Sequence, residues 1–201
     1  MERVKRLILI VLLVLPTIAL AGTPIRGEVV VDSATMARFV ARHNPDFDPE
    51  IARAFFEVGE RYGIRGDIAL CQAVIETGWF RFEGGTAVTP DQHNYCGLGV
   101  TKKGRRGCSF DTVEKGVTAM IQHLYAYATT DPLPEGEELV DPRFDIVERG
   151  VAPDWDDLSG RWAANPVYHD LIFSVYDKLQ QLHESESPSQ PYYPDFLEIF
   201  H

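Results

Sequence analysis

Glu76 closes the run Asp67-Ile-Ala-Leu-Cys-Gln-Ala-Val-Ile-Glu76, in which Gln72 is the only strongly polar residue between the two acids. At 100° per residue Ile68, Cys71 and Ile75 share one face of a helix, while Leu70 and Val74 cover the other. A helix apolar all round is a buried helix. A carboxylate at its end is half-buried in turn, desolvation raises its pKa, and a carboxyl kept protonated near neutral pH is a general acid. A merely structural role fits poorly, because a carboxylate there meets the negative end of the helix dipole. The following Thr77-Gly78-Trp79-Phe80-Arg81-Phe82 supplies a helix stop and three aromatics. An acid beside an aromatic wall suits a sugar substrate.

The elements that must hold this acid read as helices around one short hairpin. Asp32 or Ser33 opens a helix running to about His43; Asp48 caps a second, with Pro49 at its first position and Gly63 at its end. Asp67 caps the buried helix, which explains Arg65-Gly66-Asp67 better than an adhesion tripeptide does. Between Phe82 and Phe110 the pattern is punctured by Gly84, Gly85, Pro90, Gly97, Gly99, Gly104 and Gly107, and Gly97–Val100 is expected to pair with Cys108–Phe110 around the 102–107 turn. Asp111-x-x-Glu114 reads as a capping box, and Val113, Val117, Met120, Ile121, Leu124 and Ala128 follow at helical spacing. Thr129-Thr-Asp-Pro132 ends that helix. Residues 131–153 form a long Pro- and Asp-bearing connection of the kind that makes lids and rims. A short helix at about 154–162, with Trp155 and Trp162 in the core or at a cleft rim, and a last one from about Tyr168 to Leu182 complete the chain.

Arg3, Lys5 and Arg6 precede an apolar run from Leu7 to Leu15 and the small-x-small site Ala19-Leu20-Ala21. Residues 1–21 therefore read as a secretory signal, the alternative being an uncleaved anchor; 22–183 as the catalytic domain; and 184–201 as an aromatic, Pro-bearing tail. Without the three basic residues and one acid of 1–21, the 19 basic and 30 acidic residues become 16 and 29, a net charge of −13. That argues against nucleic acid and anionic membrane surfaces as partners. The small basic tip Lys102, Lys103, Arg105 and Arg106 is either a solvated turn or a contact for anionic wall polymer. Three cysteines allow one bridge, for which Cys96 and Cys108 flank the turn; Cys71 lies in the buried helix. The six histidines show no metal-ligand spacing, and no phosphate-binding glycine loop is present. No cofactor is expected.

Three stretches carry a family resemblance. Ala69-Leu-Cys-Gln-Ala-Val-Ile-Glu-Thr-Gly-Trp-Phe80 is similar to the catalytic helix of the bacterial glucosaminidases (mannosyl-glycoprotein endo-β-N-acetylglucosaminidase-like, glycoside hydrolase family 73). Asn94-Tyr-Cys-Gly-Leu-Gly99 resembles their Asn-x-x-Gly-Ile/Leu-Gly motif, and Gln122-His-Leu-Tyr-Ala-Tyr-Ala-Thr129 resembles their long helix ending in Tyr-Ala. The likeness runs from about Phe47 to Leu179. It implies a mainly α, lysozyme-like α+β fold with a short hairpin beside the cleft. It also implies action on peptidoglycan glycan strands, cleaving the N-acetylglucosaminyl-β-1,4-N-acetylmuramic acid bond; a monomer is expected.

In that reading Glu76 donates the proton to the leaving oxygen. Tyr127 either bonds the 2-acetamido group and steadies charge at the anomeric carbon, or is a core tyrosine. Gln72, Trp79, Phe80, Asn94 and Tyr95 are the substrate-binding candidates, with Phe82 as a further stacking ring; core roles for the aromatics and a turn role for Asn94 stand beside this. Longer family members carry an acid in the hairpin after the Asn motif, but residues 99–107 here contain none. Glu83, Asp91 and Asp111 only flank the region. The expectation is that the substrate's own acetamido group acts as nucleophile, a known exception to the two-carboxylate rule. A lytic transglycosylase or muramidase on the same fold is the enzymatic alternative, and a non-catalytic wall-binding adaptor is the alternative of another class. The setting is exported, in the periplasm or at the exterior.

Overall fold

The computed structural model describes residues 22–83, 87–101 and 106–186. The expected signal segment 1–21, most of the basic tip and the tail from 187 onward lie outside these residues. Five helices carry the fold: α1 (Ser33–Ala41), α2 (Pro49–Tyr62), α3 (Gly66–Thr77), α4 (Val113–Ala128) and α5 (Tyr168–Glu186). Short 3-10 turns lie at Pro90–Gln92, Phe144–Ile146 and Trp155–Leu158. Helix α2 packs on α1, α3 and α4, and α3 also packs on α5.

Local chemistry sets the boundaries. Asp32 caps α1 by accepting from Thr35 N, 2.9 Å, and Asp48 caps α2 by accepting from Glu50 N, 2.9 Å, with Pro49 at the first position. Gly63 ends α2 in the left-handed region at φ 59°. Helix α3 is buried along its whole length from Gly66 to Val74, as its apolar pattern predicts. Its close approach to α2 needs a glycine: a Cβ on Gly66 would lie 2.0 Å from Phe55 O.

Asp67 is not the cap of α3. The helix starts one residue earlier, with Arg65 at the N-cap and no side-chain cap bond. The fully buried Asp67 carboxylate instead accepts from Arg65 Nε at 3.0 Å, from Ile68 N at 3.1 Å, from Val30 N at 3.2 Å and from Tyr176 OH at 3.1 Å. It thus ties α3 to the N-terminal segment and to α5, and the Arg65 fork offsets the cost of burying its charge. The cap of α4 is likewise shifted by one: Thr112 Oγ1 accepts from Lys115 N at 3.2 Å, while Asp111 pairs with Lys115 Nζ at 2.9 Å.

The expected hairpin is not formed among the described residues, where only isolated bridges occur. One backbone bond, Cys108 N to Leu98 O at 2.8 Å, joins the two segments. Side-chain amides occupy the other carbonyls a ladder would use: Asn94 Nδ2 donates to Leu98 O (2.9 Å) and Cys108 O (3.0 Å), and Gln92 Nε2 donates to Gly107 O and Cys108 O, both at 3.1 Å. The expected Cys96–Cys108 bridge is absent too, and all three cysteines are free thiols. Cys96 Sγ turns toward Asn94 Oδ1, 4.0 Å away, whereas Cys108 Sγ lies against Gly99.

Candidate active site

Glu76 sits in the last turn of α3, and Gly78 stops the helix behind it in the left-handed conformation at φ 60°. The carboxylate is half-buried. Burial pushes its pKa up, and hydrogen bonds from the Tyr168 hydroxyl and the Trp162 indole, which favour the charged form, only partly oppose this. The net direction is upward, as a general acid requires.

Tyr168 opens α5 and is almost wholly buried; it donates to Glu76 Oε1 and accepts from Gln72 Nε2 at 3.0 Å. Burial, then the adjacent Glu76 charge, hold its phenol far above the ordinary range. Tyr168 therefore stays a donor to Glu76. Gln72, fully buried on α3, positions Tyr168 and does not face a ligand, and its Oε1 has no partner among the described residues.

Beside this acid lies a cleft. Its larger lobe, about 540 Å³, is lined by His123 and Tyr127 of α4, by Arg143, Ile146, Val147, Glu148 and Val151 of the long connection, and by Arg161. A second lobe of about 210 Å³ shares His123, Tyr127, Arg143 and Arg161 and adds residues 96–101 and Trp162. The 131–153 connection thus forms a rim, the role its length and composition predict. Gln122 fastens it to α4: Oε1 accepts from Val140 N at 2.7 Å and Asp141 N at 2.8 Å, and Nε2 donates to Glu138 O at 2.6 Å.

Three rings meet in the cleft. His123 stands edge-on to Tyr127 at 5.4 Å and to Trp162 at 5.1 Å, and Tyr127 lies 5.9 Å from Trp162. Trp162 therefore touches both the acid and the α4 wall. Burial moves the Tyr127 phenol upward, against the pull of the Arg143 and Arg161 charges. His123 Nδ1 is 2.7 Å from Asp141 Oδ2, a carboxylate that is itself 1 % exposed. Neither Arg143 nor Arg161 has a carboxylate partner among the described residues; Arg161 NH1 is spent on Asp157 O at 2.9 Å.

The structure separates the predicted residues. Tyr127 lines both lobes of the cleft, and Glu76 stands behind its wall at Trp162. Trp79 lines neither lobe: it stacks on His43 at 3.6 Å with planes 13° apart, leans on Phe39, and its carbonyl accepts from Asn44 Nδ2 at 3.1 Å. Phe80 and Tyr95 are buried together, Phe80 against Phe47 at 4.9 Å and Tyr95 against Phe55 at 6.2 Å. Asn94 is fully buried and folds its own loop, with Oδ1 accepting from Leu98 N at 2.9 Å. Its role is the turn. Of the flanking acids, Asp91 pairs with Arg106 and Asp111 with Lys115 on the surface, Glu83 is exposed, and none lines the cleft.

Sequence reasoning did not single out Tyr168, the His123–Asp141 pair, Arg143 or Arg161. His123 and Tyr127 at i and i+4 share a helix face, a signal that could have found the first of them. Tyr168 lies 92 residues from Glu76, and no local pattern links the two. Among the described residues no group of three His, Cys, Asp or Glu side chains converges to hold a metal ion.

Comparison with known proteins gives three findings. Residues 52–181 match the family described as mannosyl-glycoprotein endo-beta-N-acetylglucosaminidase. A Borreliella burgdorferi (strain B31) protein described as uncharacterized is 35% identical over 154 residues, 75% of this chain and 72% of its own length. Among solved structures, S. aureus autolysin E in complex with the muropeptide NAM-L-Ala-D-iGlu superposes with a TM-score of 0.50 at 13% identity, over 79% of this chain and 71% of that one. A catalytic mutant of the same autolysin in complex with the disaccharide NAG-NAM gives a TM-score of 0.50 at 12% identity with the same coverage. At such identity the likeness is one of fold.

Proposed function

This chain belongs to the glucosaminidase family and is a glycoside hydrolase, and from that premise we propose that it is an exported peptidoglycan hydrolase cleaving the N-acetylglucosaminyl-β-1,4-N-acetylmuramic acid bond. The observation that carries the proposal is the half-buried Glu76 carboxyl, raised in pKa and held by Tyr168 and Trp162 beside a cleft. The ligands named for the autolysin structures, a muropeptide and NAG-NAM, support the choice of substrate. The guanidiniums of Arg143 and Arg161, without carboxylate partners among the described residues, suit a substrate with anionic peptide stems. The apolar run at 7–15 with its basic flank supports export.

Glu76 gives its proton to the glycosidic oxygen as the C1–O bond breaks, a contribution of roughly 10²–10⁴-fold. The 2-acetamido oxygen of the same sugar attacks C1 and forms an oxazolinium ion. Tyr127, protonated and half-buried, presents its phenol oxygen to the positive charge growing at the anomeric centre. Water then opens the oxazolinium at C1 and returns a proton to Glu76. No acid of the described residues other than Glu148 lines the cleft, in keeping with a nucleophile supplied by the substrate.

The test is to digest purified peptidoglycan, reduce with borohydride and read the ends by mass spectrometry. Reduced N-acetylglucosamine ends are expected. Anhydro-muramyl ends would assign a lytic transglycosylase, reduced muramic acid ends a muramidase, and binding without any product an adaptor.

A further inference from the structure

The buried pair His123–Asp141 takes no part in the scheme so far. Asp141 Oδ2 lies 2.7 Å from His123 Nδ1. Its other oxygen accepts from Arg143 N at 2.8 Å, and its own backbone N is fixed by Gln122 at 2.8 Å. The carboxylate is thus immobilised by two elements, α4 and the rim. A carboxylate only accepts, so Nδ1 carries a proton, and in the neutral imidazole this leaves Nε2 as the acceptor. Nε2 makes no hydrogen bond among the described residues, nor is it a sealed orphan, and His123 lines both lobes of the cleft. A buried aspartate fixing a histidine tautomer so that Nε2 faces a cleft is an arrangement built for accepting a proton or an N–H bond. Histidines in plain core positions do not need a buried charge behind them, because that charge costs several kcal/mol unless it is well paired.

We propose that His123 is a further catalytic residue, its Nε2 accepting the N–H of the substrate's 2-acetamido group, with Asp141 as the positioning residue that sets its tautomer. The inference rests on the substrate-assisted reading above. As the acetamido oxygen bonds to C1 and the C1–O bond to the leaving group breaks, the Glu76 proton passes to the leaving oxygen and positive charge spreads to the acetamido nitrogen. The N–H···Nε2 bond strengthens at that moment, and the Asp141 charge stabilises the imidazole as it takes a share of the proton. Water attack at C1 restores the amide, its N–H and the Glu76 proton. The pair thereby fills the place of the second carboxylate that the 99–107 segment lacks. Trp162, in contact with both Glu76 and His123, links the acid to the acceptor.

The experiment compares His123→Phe, His123→Gln and Asp141→Asn with the unaltered protein. The readouts are kcat, affinity for the thiazoline analogue of N-acetylglucosamine, and the ¹⁵N shift of His123 Nε2. His123→Phe keeps a ring among rings but no acceptor, and its kcat should fall by about 10²–10⁴-fold. His123→Gln should recover part of that, since Oε1 can accept the N–H. Asp141→Asn should flip the tautomer, which the ¹⁵N spectrum reads directly, with a loss like that of His123→Phe. Thiazoline binding should shift the Nε2 signal of the unaltered protein, a test that needs no variant to fold. An Nε2 signal untouched by thiazoline, or a folded His123→Phe within about threefold of normal kcat and thiazoline affinity, would overturn the assignment. Absence of product from the unaltered protein would defeat the functional reading itself, whereas normal product with a fully active His123→Phe would defeat only this inference.

Discussion

Two regions flank Glu76, and they divide the work. The segment just after it, Trp79 to Leu98, carries the aromatics and the Asn-x-x-Gly pattern, yet its rings pack inward, its amides fold a loop, and only Cys96, Gly97 and Leu98 reach the second lobe of the cleft. The opposite region, from α4 through the rim to Tyr168, lines the cleft or holds the acid with His123, Tyr127, Arg143, Arg161, Trp162 and Tyr168. The difference teaches that a recognisable motif can be a scaffold. The first region packs behind the end of α3, and the second carries most of the groups to which the proposed reaction is assigned.

The contrast between the two tryptophans is the largest effect expected. Trp162→Ala should leave the protein folded and lower kcat/KM by on the order of 10²-fold, because it removes a donor to Glu76 and a wall of the cleft. Trp79→Ala should do the reverse, destabilising by about 3 kcal/mol through lost packing on His43 and Phe39 while the folded fraction keeps its kcat. Chemical denaturation and steady-state kinetics on both variants read this out. Equal kinetic losses would erase the division.

Tyr168→Phe comes next. Removing its hydroxyl withdraws a hydrogen bond that favours the Glu76 carboxylate, so the acid's pKa rises further. Catalysis needs the protonated form, and the alkaline limb of kcat should therefore move to higher pH, with kcat at the optimum reduced about 10-fold. A limb that stays in place would show that Tyr168 does not tune the acid.

Smaller still is the cost of Arg143→Gln with Arg161→Gln. The double variant should raise KM several-fold on stem-bearing peptidoglycan, and less on glycan stripped of its peptides, with kcat little changed. The smallest effect concerns stability. Glu76 has a folded-state pKa above its unfolded value. The unfolded chain thus ionises more readily, and the carboxyl's favourable contribution is present below the unfolded pKa and lost as pH rises through the folded one. Glu76→Gln should accordingly melt higher than the unaltered protein at pH 8, with the gap closing toward pH 4 in thermal scans.

Local patterns made much of the fold legible. The buried character of α3, the Asp48-Pro49 start of α2, its Gly63 stop and the span of α4 all follow from spacing and caps. Glu76 could be found because a carboxylate after an apolar helix is an anomaly that sequence displays. For Trp79, Phe80 and Tyr95 the sequence leaves sugar stacking and core packing open for a physical reason: an aromatic is the same residue whether it stacks on a sugar or on Phe55, and burial decides. Asp67 looked like a cap because its partners Val30 and Tyr176 are distant in the chain. No hairpin ladder forms among the described residues, where the Asn94 and Gln92 side-chain amides take carbonyls of the paired segments, a substitution that strand patterning does not register. The His123–Asp141 pair depends on the rim folding back onto α4, which only tertiary structure reveals.

The most direct test of the account is Glu76→Gln, measured beside the unaltered protein on purified peptidoglycan for both product formation and binding. The account predicts retained fold and binding, with turnover reduced by at least about 10²-fold. Undiminished release of reducing ends by the variant would contradict it and move the acid elsewhere.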